Sequence, residues 1–227
     1  MSSDAIDIVL KSIQNNVKQV DVVSHNIANA NTPGYMATEV FAEFSADASN
    51  QLRETVSTKA SSAVITSNRP LDVAMINDGF LLLELAGEAV LTRHGRLHVN
   101  AQNELTHLSG AQVMGEFGAI VLPEGDIQID SKGVIYVDGQ RVDQLRSVTM
   151  DKGAQVTRMG NSVYRAESTF EVIENNIQQG AVNGANAEVS KDMIRMIELS
   201  RHTQSLQKAV LAIDQVANAG INELGKR

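Results

Sequence analysis

Three histidines, His94, His98 and His107, lie close together in the sequence, and imidazole is a common transition-metal ligand. A zinc site would add an acidic or thiolate partner at ligand spacing, and none is present. Gly95 also breaks the strand between the first two, so these residues read as exposed or hairpin histidines. Gly220 through Lys226 has the Gly-x4-Gly-Lys outline of a phosphate loop. Arg227 stands where Ser or Thr belongs and no strand precedes it, so the outline is rejected. The chain has no cysteine, which removes disulfides, thiolate metal sites and a cysteine nucleophile. Its carboxylates show no paired acid/base spacing, and no nucleophile elbow occurs. The expectation is a chain that is not an enzyme and needs no metal, cofactor or small-molecule substrate.

Composition narrows the class further. The 227 residues are 43% hydrophobic and 20% charged, as in globular proteins. A formal net charge of -8 argues against nucleic acid, whose phosphates are bound by Lys and Arg. It argues in the same direction for anionic membranes. Met1-Ser2-Ser3-Asp4 is acidic, and Asp7, Lys11 and Lys18 interrupt each apolar run. No cleaved secretory signal is expected.

The elements that would carry any function are legible from period. Ile6, Leu10, Ile13, Val17, Val20 and Ile27 recur at spacings of four and three, with Ser24 filling the gap. That is a heptad seam. Ser3 or Asp4 caps a helix running from Asp4 to about Asn29, and Thr32-Pro33 ends it. Gly34 then permits a positive-φ turn. A second stripe, Met193, Met196, Leu199, Leu206, Val210 and Ile213, marks a C-terminal helix. Between the helices, short apolar runs alternate with Asp78-Gly79, His94-Gly95, Ser109-Gly110, Lys132-Gly133 and Asp138-Gly139. This is the pattern of a sandwich or barrel-like β domain.

The expected fold class is α+β, a central all-β domain inserted between N- and C-terminal coiled-coil-forming helices. The expected division is 1–44 (helix and motif), 45–69 (an extended, mobile linker), 70–173 (β domain), 174–187 (linker) and 188–227 (helix). By periodicity alone, the two seams could equally pair within one molecule or with neighbouring molecules. Met193 and Met196 fit either a core or an adaptable binding surface.

Ser24-His25-Asn26-Ile27-Ala28-Asn29-Ala30-Asn31-Thr32-Pro33-Gly34-Tyr35 resembles the N-terminal signature of bacterial flagellar rod and hook proteins. Arg69-Pro70-Leu71-Asp72-Val73-Ala74, Asn77-Asp78-Gly79-Phe80 and Leu91 through Val99 resemble the start of that family's central domain. Val189 through Ile213 is similar to its terminal helix. Within the family, Leu122-Pro123-Glu124-Gly125 and Ile127-Gln128-Ile129 resemble the proximal rod protein, with a distal rod or hook-type axial protein the near alternative. The chain departs from the family pattern at Val182-Asn183, where Leu-Glu is usual, and at Ala185-Asn186-Ala187, where Ser-Asn-Val is usual. Thr203 replaces an aromatic.

The resemblance implies a periplasmic rod subunit of the flagellar basal body. It would be exported by the type III apparatus without a cleaved signal and would assemble with copies of itself and with other rod subunits. Asn26, Asn29, Asn31, Thr32, Pro33, Gly34 and Tyr35 would form the assembly motif, a cap and turn that aims the chain out of the helix. The twelve seam residues would make the helix contacts of a hollow drive shaft that transmits torque and lines the export channel. The reading from another class is a soluble β-domain binding module on a helical stalk.

Overall fold

A computed structural model describes residues 2–44, 50–56, 62–150, 156–166 and 169–224. The chain divides into two compact units. One contains residues 1–28, 40–54 and 188–227; the other contains 29–39 and 55–187.

In the first unit, α1 (Ser2–Ala28) and α2 (Val189–Leu224) run antiparallel. Polar contacts join them. The Asn16 amide donates to His202 Nδ1 at 2.9 Å and to Thr203 Oγ1 at 3.4 Å, and Arg195 donates to Gln19 Oε1 at 3.4 Å. Asn26 hydrogen-bonds Asp192 in the first turn of α2, although burial, the larger effect, raises the Asp192 pKa.

The strands follow in chain order. β1 (Thr38–Phe44) and β2 (Asn50–Val56) form a two-stranded sheet. Next come β3 (Val64–Thr66), β4 (Val73–Met75), β5 (Phe80–Leu85), β6 (Glu88–Thr92), β7 (Leu97–Val99), β8 (Leu105–His107) and β9 (Gln112–Val113). A three-stranded sheet is built from β10 (Ile127–Ile129), β11 (Val134–Val137) and β12 (Gln140–Gln144). The remainder are β13 (Ser147–Met150), β14 (Val156–Gly160), β15 (Val163–Ala166), β16 (Phe170–Ile173), β17 (Ile177–Gln179) and β18 (Ala181–Asn183).

The main sheet has the order β14-β15-β6-β5-β9-β8-β7, with β13 added to β5 and β16 to β13. β17 pairs β4, and β18 pairs β3. Tight turns set much of this. Leu85 pairs Glu88 across Ala86-Gly87, Val137 pairs Gln140 across Asp138-Gly139, and Gly160 pairs Val163 across Asn161-Ser162. All six turn residues have positive φ, the two-residue geometry whose twist matches that of the strands. Two apolar clusters fill the unit. Leu81, Leu83, Val90, Val113 and Ile135 anchor one, and Met36, Phe80, Leu91, Val148 and Tyr164 the other.

The expected fold class is corrected in two respects. The β structure is not one insert, because residues 40–54, spanning most of β1 and β2, group with the helices. Nor do the helices form a coiled coil. Among the described side chains of α1, the buried ones are Asn16, Val22, Val23 and Asn26, while the seam positions Leu10 and Val17 are 47% and 51% exposed. On α2, Leu199 is buried but Met193 is 53% exposed. A heptad seam is buried only when a partner seam lies against it. Here part of each seam faces solvent, and amide, imidazole and guanidinium groups contribute contacts between the helices.

The two expected linkers also carry regular structure. β2 and β3 lie among the described residues of 45–69, and β17 and β18 lie within 174–187. Backbone pairing with distant strands outweighs their weak local preference. Residues 45–49, 57–61 and 225–227 lie outside the described residues, including the end of the rejected phosphate-loop outline.

Candidate functional site

The residues of the Thr-Pro-Gly-Tyr turn build a defined seat on the β unit. After α1 the chain reverses through Thr32, whose N–H donates to the Asn29 carbonyl at 2.9 Å and whose hydroxyl reaches Asn29 Oδ1 at 3.3 Å. The left-handed residue of the exit is Gly34, at φ +64; none of Asn26, Asn29 and Asn31 takes a positive φ. Gly34 is required for a second reason. A Cβ there would lie 2.2 Å from the His94 backbone nitrogen and 2.5 Å from the Arg93 carbonyl carbon. The Gly34 N–H donates to the Asn183 carbonyl at 2.8 Å.

Tyr35 and Met36 are then gripped from one side by Arg158. Its guanidinium carbon lies 4.5 Å from the Tyr35 ring centroid, within cation–π range. It donates to the Tyr35 hydroxyl at 3.1 Å, the Met36 carbonyl at 2.7 Å and Thr38 Oγ1 at 3.2 Å. The Met36 N–H donates to the hydroxyl of fully buried Tyr164 at 3.0 Å. Burial, the larger effect, raises the Tyr164 pKa, so this hydroxyl stays neutral at ordinary pH. From the other side, Asn186 N–H donates to the Tyr35 carbonyl at 3.1 Å, and Asn186 Oδ1 accepts from Ala37 N–H at 2.5 Å.

Asn183 ties the same region to β4. Its amide accepts from the Met75 N–H and donates to the Met75 carbonyl, both at 2.8 Å, with the side chain 1% exposed. The turn under Gly34 is equally constrained. A Cβ on Gly95 would lie 1.7 Å from the Val73 carbonyl oxygen. Arg93 donates to the Gly79 and Asn77 carbonyls at 2.7 and 3.2 Å. Burial, opposed by Asp78, lowers the pKa of this guanidinium.

Of the expected motif residues, the structure buries Asn26, Gly34 and Tyr35, half-buries Asn29, Thr32 and Pro33, and exposes Asn31. Among the seam residues, Ile13, Val20, Ile27, Met196, Leu206, Val210 and Ile213 are half-buried. The Ile6 side chain lies outside the described residues. Sequence reasoning missed Arg158 and Tyr164, which no local signal marks. It met Asn183 and Asn186 only as departures from a family pattern.

Of the histidines expected to be exposed or in hairpins, two are buried. His94 and His107 are not exposed but 4% and 0% exposed, with Nδ1 of the first 2.8 Å from Nε2 of the second. Burial is the main cause lowering both pKa values to about 4. Among the described residues, no group of three or more His, Cys, Asp or Glu is placed to hold a metal ion. No described helix is long and apolar enough to cross a membrane.

The sequence model described as flagella basal body rod protein matches residues 13–35, and that of the flagellar basal body rod FlgEFG protein C-terminal region matches residues 178–224. The first spans α1 from Ile13 onward and its exit through Tyr35, and the second spans most of β17, then β18 and α2. The chain is 24% identical to flagellar basal-body rod protein FlgF of Mesorhizobium japonicum, covering 99% of both chains. It is 28% identical to FlgF of Escherichia coli, covering 95% of both. It is 22% identical to flagellar basal-body rod protein FlgG of Bacillus subtilis, covering 94% of this chain and 96% of that one.

Proposed function

We infer that this chain, a FlgF-like rod protein, is a structural subunit of the flagellar basal body and not an enzyme. One observation carries the reading. The two matched segments contain the part of α1 from Ile13 onward with its seated exit, and α2, and they leave Val17, Met193, Ile194, Ile197 and Leu211 each at least 51% exposed, as Leu10 is at 47% one turn before the first match.

The subunit assembles with other flagellar basal-body proteins. In our reading, helices of neighbouring copies and of other rod subunits cover these side chains, each worth about 1.5–3 kcal/mol if fully buried. The stretch from Asn26 to Tyr35 serves as the assembly motif. The assembled subunits form a hollow shaft that transmits torque and lines the export channel. The chain reaches its periplasmic position through the flagellar type III export apparatus, without a cleaved signal peptide. No nucleic acid or small-molecule substrate enters this function.

The test is Leu10→Asp and Met193→Asp, introduced singly into cells lacking the native copy. Each variant, purified, should keep its stability within about 0.5 kcal/mol, because the side chain is largely exposed in the free subunit. Basal bodies should lack the subunit, and the cells should be non-motile. Normal incorporation and swimming in both variants would overturn the helix-face assembly reading.

A further inference from the structure

Directly beneath the seat of Gly34 lies a polar contact that the assembly reading does not use. His94 is the residue whose backbone nitrogen Gly34 packs against. Its ring meets the ring of His107 edge to face, with centroids 5.0 Å apart and planes at 88°. The backbone N–H of Ser109 donates to His107 Nδ1 at 3.2 Å. That nitrogen is therefore the acceptor, and the proton of neutral His107 sits on Nε2. This N–H in turn donates to His94 Nδ1 at 2.8 Å, which places the His94 proton on its own Nε2. Each acceptor nitrogen already faces a donor. A proton added at His94 Nδ1 would face the His107 Nε2–H, and one added at His107 Nδ1 would face the Ser109 backbone N–H, with the Ser109 hydroxyl at 2.9 Å an acceptor beside it, in a site almost closed to water.

The surroundings offer little relief. Asp72 and Arg96 face the His94 side, and His98 faces the His107 side. Asp72 is fully buried and shared with Arg69 and Arg96, at 3.5 and 3.6 Å. It is the single anion in the set, and Arg96 offsets it. The His94 backbone is also coupled to the seat. His94 N–H donates to Thr92 Oγ1 at 3.0 Å, and Thr92 Oγ1 donates to the Ser162 carbonyl at 2.7 Å. Ser162 Oγ reaches the Pro33 carbonyl at 3.4 Å.

We propose that the His94–His107 pair is an acid-sensitive latch, whose protonation displaces the 92–95 turn and releases Gly34 to Met36 from the β unit. This inference goes beyond the rod assignment and holds for the isolated chain whatever it assembles with. The rings' ordinary protonation range is shifted down by burial to about 4, so the latch stays closed at neutral pH and opens under acid.

The experiment is an NMR titration of the isotope-labelled full chain between about pH 7.5 and pH 3.5, a window spanning the ordinary histidine pKa. It follows the two imidazole rings, the Gly34 and Met36 amides, and the Ile135 amide as a distant reference. The expected result is one shared midpoint below about pH 5 for both rings and both seat amides, with Ile135 unmoved through that step. In His107→Gln, folded at pH 7, the step should vanish from Gly34 and Met36. Ring titration near the ordinary value, seat amides silent through the ring titration, or simultaneous loss of Ile135 would each overturn the latch. The wild-type titration decides the matter by itself if His107→Gln does not fold.

Discussion

Arg158 and Tyr35 are separated by more than half the chain, yet the guanidinium lies 4.5 Å from the ring centroid and donates to its hydroxyl at 3.1 Å. The same fork reaches the Met36 carbonyl at 2.7 Å. One side chain therefore satisfies both a buried aromatic and a buried carbonyl of the helix exit.

Arg158→Ala leaves that carbonyl and hydroxyl short of a donor. The expected loss is about 2–4 kcal/mol in urea unfolding, from hydrogen bonds to a charged group and a cation–π contact. Arg158→Lys should recover part of it, because an ammonium keeps the charge but cannot present the planar fork. Equal stability of both variants with the parent would show that the grip contributes nothing.

Gly34→Ala should cost more than about 3 kcal/mol, since it combines a left-handed backbone with a clash against peptide atoms that cannot rotate away. Gly139→Ala is the control. Its φ is +77 but nothing lies within 4 Å of an added Cβ. It should cost about 1 kcal/mol, the backbone effect alone. Thermal unfolding of the two side by side measures the difference.

Asn183→Ala removes both partners of the Met75 peptide at a site 1% exposed. A loss of about 2–4 kcal/mol is expected for two buried backbone groups left unsatisfied. Asn183→Asp should be at least as costly near neutral pH, where a carboxylate oxygen would face the Met75 carbonyl. Hydrogen exchange at the Met75 amide reads the effect locally.

Stability should fall on acidification before most carboxylates titrate. The folded pKa of each buried imidazole, about 4, lies below the unfolded value of about 6.5. Between these values the unfolded chain binds more protons than the folded one, so stability drops as pH falls through the window. The contribution is fully present above about pH 6.5 and exhausted below about pH 4, with a slope of up to about 1.4 kcal/mol per pH unit for each proton. Urea midpoints measured across this range in wild type and His107→Gln isolate it; identical pH profiles would refute it.

What was legible in the sequence is what local backbone chemistry decides. Pro33 cannot continue a helix whatever surrounds it, and Asp138-Gly139 suits a two-residue turn by its own torsional preference. The helices, the end of α1 and the Asp138-Gly139 turn are therefore readable without a fold, whereas the turns at Ala86-Gly87 and Asn161-Ser162 go unread. The resemblance at Asn26 through Tyr35 likewise lies in contiguous residues. The seat that receives this stretch does not. Tyr164 and Asn183 belong to different strands, and their partners lie 128 and 108 residues away in the chain. Their positions become meaningful only when strand register brings them together.

The histidines show the same limit. His94 and His107 read as hairpin residues because sequence reveals spacing but not enclosure. The pairing of Leu97 with His107, with Gly34 packed against the His94 backbone, closes them off from water. The seams mark the limit from the other side. Periodicity identified apolar positions on each helix, but burial requires a surface to pack against. The α1–α2 contacts leave Leu10, Val17 and Met193 facing solvent in the isolated chain.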